Sequence, residues 1–266
     1  MLKHFIAFLV FSCISVTNTY AETKVIHVLV ALCDNKYQGI VPVPTAIGNG
    51  QDPRNNLYWG AGFGLKTYFN KQKDWQLISS EKNNQSIILE RLIYKNKQKD
   101  IYLVADAYDG QYIRNTIQDF LNYSAGLNDL TITINNKKIV VGGKANLVIY
   151  VGHNGLMDWS LSSIFYPPSS PVISQQQRKL QSDRTAAVFA CKSQQYFSKP
   201  LEETGISPVI LTTHYMAPEG YVVYALVDGY VNNLSKQQIH ENVAKAYSKY
   251  QKLKQPARKL FTTEYQ

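Results

Sequence analysis

Two reactive side chains each follow a short apolar run, and together they could form a nucleophile and its base. His153 follows the run at residues 146–152, and Cys191 follows the run at residues 184–190. Both runs are rich in β-branched and aromatic residues without alternation, which is typical of central strands in a parallel sheet. Because functional groups collect beyond the carboxyl ends of such strands, we expect His153 and Cys191 at the same edge. A thiol beside an imidazole there is a nucleophile with its general base.

The residues around this pair indicate how the thiolate and the oxyanion of an acyl-transfer reaction would be stabilised. We expect the amides of the helix after Cys191 to lower the pKa of its thiol. The backbone amide of Cys191 is one oxyanion-hole candidate, and the turn of Asn154 and Gly155 supplies the others. His153 would supply the proton that the leaving group needs. Gly152 and Gly155 would leave the backbone open to a substrate.

Other polar residues are candidates for the substrate pocket at the same edge. An acid such as Asp34 would favour a basic P1 residue, which is the substrate residue whose carbonyl is attacked. For Glu219 a role at a helix start is favoured over a contact with substrate, since carboxylates favour the first helical turn. The pocket candidates are Cys33, Asp34, Asp158, His214 and Glu219.

Each residue of the pair also has an ordinary structural interpretation. A single histidine at a strand end is more often structural than catalytic, and buried cysteines are common in cores. Cys33 and Cys191 could also form a disulfide or a redox pair in an oxidising compartment. Unless their strands are neighbours, the Cα separation exceeds the roughly 7 Å limit for a disulfide. The paired placement of His153 and Cys191 therefore favours a catalytic dyad.

The composition is that of a globular protein with a basic surface. The chain has 266 residues, of which 45% are hydrophobic and 18% charged, and its net charge is +9. This length can bury a core without metal or disulfide cross-links. The lysines are scattered and no nucleic-acid-binding motif accompanies them, so we expect a solvated surface and no nucleic-acid partner. The turn at residues 52–56 lacks the carboxylates of a calcium loop, and neither metal nor cofactor is predicted.

Residues 1–21 have the pattern of a secretory signal peptide. Lys3 and His4 precede an apolar run at residues 5–16, and cleavage is expected after Ala21. The run is too short for a comfortable membrane span, and no later stretch reaches about 18 apolar residues. We expect an exported protein, periplasmic or secreted, without stable membrane insertion after cleavage. An uncleaved N-terminal anchor is the alternative.

The rest of the chain, residues 22–266, alternates predicted strands and helices without a linker that would divide it. This order predicts a single three-layer α/β domain with a mostly parallel central sheet. A long loop at 33–58 is expected to overhang the edge as a wall of a substrate cleft. Besides the two runs above, strands are predicted at 24–32, 75–79, 87–94, 100–107, 130–134, 138–141 and 207–213. Helices are predicted at 58–69, from Asp109 as N-cap to 121, at 174–181, near Tyr196, at 217–231 and at 236–250.

The two blocks that end in the reactive residues resemble those of the clan CD cysteine peptidases, which include legumain, the caspases, the gingipains and clostripain. The blocks read Val-Ile-Tyr-Val-Gly-His at 148–153 and Ala-Val-Phe-Ala-Cys at 187–191. The resemblance implies the caspase–haemoglobinase fold and an endopeptidase that cleaves peptide bonds through an acyl-enzyme. It implies His153 as the acid/base and Cys191 as the nucleophile. Asn154 stands where the family motif has glycine.

A non-catalytic binding or interaction protein on the same fold is the competing hypothesis, because Asn154 departs from the motif. Under the enzyme hypothesis the partner is a peptide or protein substrate. Substitution of Cys191 by alanine separates the two, since it would abolish hydrolysis but leave binding intact. The sequence carries no signal for an oligomeric state.

Overall fold

The computed structural model describes residues 23–83, 85–161 and 184–265. The predicted signal peptide at 1–21 and the predicted helix at 174–181 lie outside the described residues. Within the described ranges, no helix is both long and apolar enough to cross a membrane.

The described residues build one eight-stranded mixed sheet whose centre is parallel. Its spatial order is β10-β9-β8-β7-β1-β4-β3-β2, and the five strands from β9 to β4 are parallel to one another. β3 and β2 extend one side in antiparallel fashion, and β10 closes the other. The strands are β1 (Lys24–Ala31), β2 (Trp75–Lys82), β3 (Ile88–Asn96), β4 (Ile101–Tyr108), β7 (Leu147–Val151), β8 (Thr185–Phe189), β9 (Ser207–Thr212) and β10 (Phe261–Thr262).

The central strands are buried along almost their whole length. β4 and β7 have no exposed position, and in β1 only Lys24 is exposed. Strands covered on both faces need apolar side chains on both, so they read as continuous hydrophobic runs. This confirms the predicted α/β class with a mostly parallel central sheet.

Helices cover both faces of the sheet and give three layers. One face packs against α1 (Leu65–Phe69), α4 (Gly220–Val231) and α5 (Lys236–Tyr250). The opposite face packs against α2 (Ile113–Ser124) and α3 (Ser193–Glu203). A separate hairpin of β5 (Asp129–Ile134) and β6 (Lys137–Gly142), which was predicted, covers the same side near β4.

Two helices begin later than the sequence predicts. The helix predicted at 58–69 is reduced to α1, because the preceding glycines lie in close turns. A Cβ on Gly60 would lie 2.0 Å from the Arg54 carbonyl oxygen, and one on Gly64 would lie 2.4 Å from the Trp59 carbonyl oxygen. The helix predicted at 217–231 begins at Gly220, because the segment before it passes the thiol of Cys191.

The loop at 33–58 is ordered by its own polar side chains. Asn56 accepts the Cys33 amide and donates to the Cys33 carbonyl, which pins the two ends of the loop together. Asp34 accepts the amides of Lys36 and Tyr37. Gly110, in a 3-10 turn for which Asp109 is the N-cap, donates to the Gly50 carbonyl. The loop is therefore fixed at the carboxyl edge of β1 and β4.

Candidate active site

His153 and Cys191 emerge from adjacent parallel strands at matching positions. Val151 of β7 is paired with Phe189 of β8, and each reactive residue lies two positions beyond that pair. The Gly152 amide donates to the Phe189 carbonyl at 3.2 Å, which extends the pairing up to the site. Gly152 has φ of 153°, a conformation that favours glycine.

Asn154 joins the two strand ends directly. Its side-chain Nδ2 donates to the Cys191 carbonyl at 2.7 Å, and its Oδ1 accepts the Leu156 amide at 3.1 Å. The side chain is fully buried. Glycine at this position could make neither contact, so the Asn154 side chain has a structural role here. It holds the histidine turn against the cysteine turn.

The His153 imidazole is oriented by a carboxylate. Its Nε2 lies 2.6 Å from Asp158 Oδ2, with the imidazole 8% and the carboxylate 34% exposed. The Gly39 amide also donates to Asp158 Oδ2, at 3.2 Å, which ties the loop at 33–58 to the site. The hydroxyl of Tyr150, on β7, donates to the His153 carbonyl at 2.7 Å. With Nε2 engaged, Nδ1 is the nitrogen that is left for proton transfer.

The Cys191 thiol lies against the extended segment that follows β9. Its Sγ is 3.4 Å from the Met216 nitrogen and 3.5 Å from the Met216 oxygen. Burial raises the pKa of the thiol, while the backbone amides of Met216 and Cys191 and the charge of Lys192 oppose this rise without cancelling it. The expectation of a lowered pKa is wrong.

The amides of the following helix do not lower the pKa of the Cys191 thiol, because they donate to other acceptors. The Lys192 amide donates to the His214 carbonyl at 2.9 Å, and the Ser193 amide donates to Thr212 Oγ1 at 3.0 Å. Lys192 adopts a left-handed conformation with φ of 49° at the start of α3. The first turn of α3 therefore directs these N–H groups to β9 and the segment after it, and not to the thiol.

Of the three predicted oxyanion-hole amides, the backbone amide of Asn154 has no hydrogen-bond partner among the described residues. The backbone amide of Cys191 contacts its own thiol, where it opposes the rise in the pKa of that thiol. The Gly155 amide donates to the His153 carbonyl at 3.1 Å. A free amide in an active site can donate to the oxyanion of a tetrahedral intermediate.

The pocket candidates Cys33 and Asp34 face the interior of the loop. Cys33 is fully buried and Asp34 is 1% exposed. Asp34 accepts two backbone amides on Oδ1, and Gln51 donates to its Oδ2 at 2.8 Å. Because both carboxylate oxygens are engaged within the loop, Asp34 organises the loop. The prediction that Asp34 would select a basic P1 residue therefore has no support.

Both cysteines of the described chain are free thiols. Burial raises the pKa of Cys33 to about 11, although a hydrogen bond with Tyr58 lowers it in part. Cys33 follows β1 and Cys191 follows β8, with β7 between those strands. Two strand spacings amount to roughly 10 Å, which exceeds the span of a disulfide.

His214 and Glu219 lie on either side of Met216 in the segment after β9. His214 is exposed, while Glu219 is buried at the N-cap position of α4. The Glu219 side chain makes no capping hydrogen bond, and its Oε2 instead accepts Tyr221 Oη at 2.9 Å and Gln251 Nε2 at 3.3 Å. Glu219 therefore lies at the helix start, as predicted, but its carboxylate does not cap the helix by a hydrogen bond.

The structure adds residues that the sequence analysis did not single out. Ser193 and Thr212 join α3 to β9 through paired contacts, in which the Thr212 amide donates to Ser193 Oγ at 2.8 Å. The Thr212 hydroxyl also donates to the Ala190 carbonyl. Ser193, at the start of a predicted helix, is the one feature in the sequence that could have indicated this contact. Its partner Thr212 could not be predicted, because it is 19 residues away.

A cavity of about 580 Å³ lies beside the site. It is formed between the turn that follows His153 and the outer side of α3. Its lining combines apolar and charged side chains: Leu156, Trp159, Leu161, Tyr196, Lys199 and Glu203.

Comparison of the chain with protein-family models, curated proteins and solved structures finds no match. Within the described ranges, no group of three or more His, Cys, Asp or Glu residues could hold a metal ion.

Proposed function

We propose that this protein is a cysteine hydrolase of the caspase–haemoglobinase type, an exported endopeptidase that cleaves peptide bonds with Cys191 and His153. The observation that carries the proposal is the joined pair of strand ends. Asn154 ties the histidine turn to the cysteine turn at 2.7 Å, and its own backbone amide has no partner among the described residues. The strand order around β7 and β8 supports it, because functional groups collect at this edge of an α/β sheet.

The reaction would begin with proton transfer from the Cys191 thiol to Nδ1 of His153. The thiolate then attacks the substrate carbonyl carbon, and the oxyanion accepts the amides of Asn154 and Cys191. His153, held at Nε2 by Asp158, returns the proton to the leaving amine as the peptide C–N bond breaks. Water, deprotonated by His153, then hydrolyses the thioester and releases the carboxylic acid. The raised thiol pKa makes the imidazole necessary as a base.

The first test is hydrolysis of a mixed peptide library by the protein without residues 1–21, with product ends assigned by mass spectrometry. We expect cleavage by the wild type and none by Cys191→Ala or His153→Ala. A matched control is Cys33→Ala, which removes the other thiol of the described chain. Cleavage that survives Cys191→Ala would overturn the proposal.

A second candidate function is supported by the thiol itself. Its pKa is raised, its Sγ contacts Met216, and the nearby amides of α3 have other acceptors. These features fit a binding protein that kept the fold without catalysis. The rate at which iodoacetamide labels Cys191, measured across pH with and without an added peptide, separates the hydrolase from the binding protein. A peptide that protects Cys191 but is never cleaved would favour the binding protein.

Export is the cellular part of the proposal and rests on the signal-like pattern of residues 1–21. Expression of the full chain in a bacterium, followed by fractionation and N-terminal sequencing, tests it. We expect a mature protein that begins at Glu22. A full-length protein in the cytoplasm would contradict this.

A further inference from the structure

The segment that follows β9 is fixed to the cysteine turn by three consecutive residues. The His214 carbonyl accepts the Lys192 amide at 2.9 Å, and Lys192 Nζ lies 4.7 Å from the centroid of the Tyr215 ring. The next residue, Met216, contacts Cys191 Sγ through both its nitrogen and its oxygen. The surroundings of the proposed nucleophile are therefore set by the backbone of this segment.

The two contacts of Met216 suit a neutral thiol better than a thiolate. The Met216 amide donates to Cys191 Sγ at 3.4 Å, and the thiol S–H donates to the Met216 carbonyl at 3.5 Å. A thiol can make both contacts, because its sulfur is a weak acceptor and its S–H is a weak donor. A thiolate has no proton to donate, so the carbonyl oxygen would then face a negative charge. The carbonyl contact therefore favours the protonated form of Cys191.

Tyr247, on α5, holds the peptide group that carries this carbonyl. The Met216 carbonyl and the Ala217 amide belong to one planar trans peptide, in which C=O and N–H point in opposite directions. The Ala217 amide donates to the Tyr247 hydroxyl at 3.3 Å. The oxygen on the other side of the same peptide group contacts Cys191 Sγ at 3.5 Å. The Tyr247 hydroxyl thus orients the Met216 carbonyl toward the thiol.

The contact from the Met216 amide belongs to the preceding peptide group and has a separate support. That group follows the His214 carbonyl, which is held by the Lys192 amide at 2.9 Å. It makes no hydrogen bond to Tyr247 among the described residues. Loss of the Tyr247 hydroxyl should therefore release the carbonyl from the thiol and leave the amide contact in place.

We propose that Tyr247 is a positioning residue, which keeps Cys191 in a protonated resting form by holding the Met216 carbonyl against the thiol. This inference rests on the proposed function, because it describes the resting state of the same nucleophile. In the free protein the thiol proton is hydrogen-bonded to the Met216 carbonyl, so that ionisation of Cys191 requires this contact to break. A substrate that displaces the carbonyl from Sγ would release the proton for transfer to His153.

The ionisable groups that face the thiol come from its own turn, from the end of β7 and from the loop at 33–58, besides Tyr247 on α5. They are Lys192, His153 and Tyr58. Burial raises the pKa of both Tyr58 and Tyr247 above the usual value near 10, so both phenols stay neutral below that pH. Loss of the Tyr247 hydroxyl therefore acts on the thiol through a hydrogen bond and not through a charge.

The test is the rate at which iodoacetamide alkylates Cys191 between about pH 5 and pH 10, assigned by peptide mass mapping. Because only the thiolate reacts, the midpoint of this profile reports ionisation of the thiol without any peptide substrate. The wild type, Tyr247→Phe and Tyr250→Phe are compared. Tyr250 lies three residues later on α5 and its hydroxyl contacts Tyr68 Oη at 2.9 Å, so its variant is a matched control.

We expect Tyr247→Phe to lower the midpoint by about half a pH unit or more, because the carbonyl no longer favours the protonated thiol. Tyr250→Phe should keep the midpoint of the wild type. A midpoint that Tyr247→Phe leaves unchanged or raises would overturn the role of Tyr247 and leave the proposed hydrolase intact, since labelling does not depend on cleavage. A lowered midpoint without Cys191-dependent cleavage of any peptide would overturn the hydrolase and keep the effect of Tyr247 on the thiol.

Amide exchange measured by NMR in the wild type tests the central contact without a variant. The Ala217 amide should exchange slowly, and the Tyr215 amide, which has no hydrogen-bond partner among the described residues, should exchange fast. Tyr247→Phe should accelerate exchange at Ala217, and circular dichroism shows whether this variant is folded. Even if it were unfolded, an Ala217 amide that exchanges as fast as that of Tyr215 in the wild type would overturn the inference.

Discussion

The side-chain amide of Asn154 donates to the carbonyl of Cys191 at 2.7 Å, across a sequence separation of 37 residues. The same side chain accepts the Leu156 amide, so it also shapes the turn that follows His153. One residue thus fixes the relative position of the proposed base and nucleophile. The free amide of Asn154 can then face a substrate carbonyl, because its side chain holds the backbone in place.

Replacement of Asn154 by alanine or by glycine should weaken both the fold and the site. The Cys191 carbonyl and the Leu156 amide would lose their partners in a buried region, which costs about 1–3 kcal/mol for a buried group left unsatisfied. We expect a lower midpoint in urea denaturation and a lower kcat for Asn154→Gly, although glycine is the residue of the family motif. Asn115→Ala, on the exposed side of α2, is the control. An Asn154→Gly variant as stable and active as the wild type would contradict the role of the side chain.

Asp158 should act through the orientation of His153. Its Oδ2 holds the imidazole Nε2 at 2.6 Å, and among the described residues it makes no hydrogen bond to Cys191 or to the Asn154 amide. Asp158→Ala should lower kcat by about tenfold to a hundredfold, because small misplacements of a catalytic group have effects of this size. We expect little change in KM for a short peptide, and partial rescue by Asp158→Asn, whose amide oxygen can still accept.

The control for this prediction is Asp129→Asn, on the hairpin of β5 and β6, which removes an exposed charge of the same sign. An equal loss in Asp129→Asn would point to a general electrostatic effect. An Asp158→Ala variant with altered KM and unaltered kcat would place Asp158 in substrate binding instead.

The buried cluster of His27, Arg91 and Asp106 should govern the stability of the fold in acid. Burial raises the pKa of Asp106, but the hydrogen bonds from Arg91 and His27 outweigh this effect, and the net pKa is lowered. A carboxyl with a lowered folded-state pKa stabilises the fold above its unfolded-state pKa, near 3.9, and this stability is lost as the pH falls below that value. We expect the free energy of unfolding to decrease below about pH 5.

Asp106→Asn should be destabilised by up to about 3–5 kcal/mol at neutral pH, because it leaves the partly buried Arg91 guanidinium without its charged partner. Its stability should also depend less on pH in the acid range. Urea denaturation between pH 2 and pH 7 measures both. Asp100→Asn, which breaks ion pairs of an exposed carboxylate with Lys95 and Lys137, is the control and should cost less than about 1 kcal/mol. Similar losses in the two variants would contradict the importance of burial.

The sequence predicts the sheet better than it predicts the site. The central strands were identifiable because burial on both faces requires the apolar runs that β1, β4, β7 and β8 show. Placement of His153 and Cys191 at one edge followed from parallel strands. The acceptors of the Lys192 and Ser193 amides could not be predicted, because they lie in β9 and the segment after it, which are distant in sequence and come close only in the fold. The direction of the Glu219 carboxylate depends on Gln251, 32 residues away.

Glu219 should destabilise the free protein in proportion to its ionisation. Burial raises its pKa, and the hydrogen bond from Tyr221 opposes this only in part. For a carboxyl with a raised folded-state pKa, the fold favours the protonated form, so stability decreases as the pH rises from the unfolded-state value, near 4.3, through the folded-state pKa. Glu219→Gln keeps the shape of the side chain without the charge. The variant should therefore resemble the wild type near pH 4 and exceed it in stability at neutral pH.

Urea denaturation of the wild type, Glu219→Gln and Glu81→Gln at several pH values between 4 and 8 measures this difference. Glu81 is exposed, so its variant should follow the wild type throughout. A stabilised Glu219→Gln would mean that the buried carboxylate is unfavourable for the fold. A variant less stable than the wild type at neutral pH would instead mean that the charge is compensated within the protein.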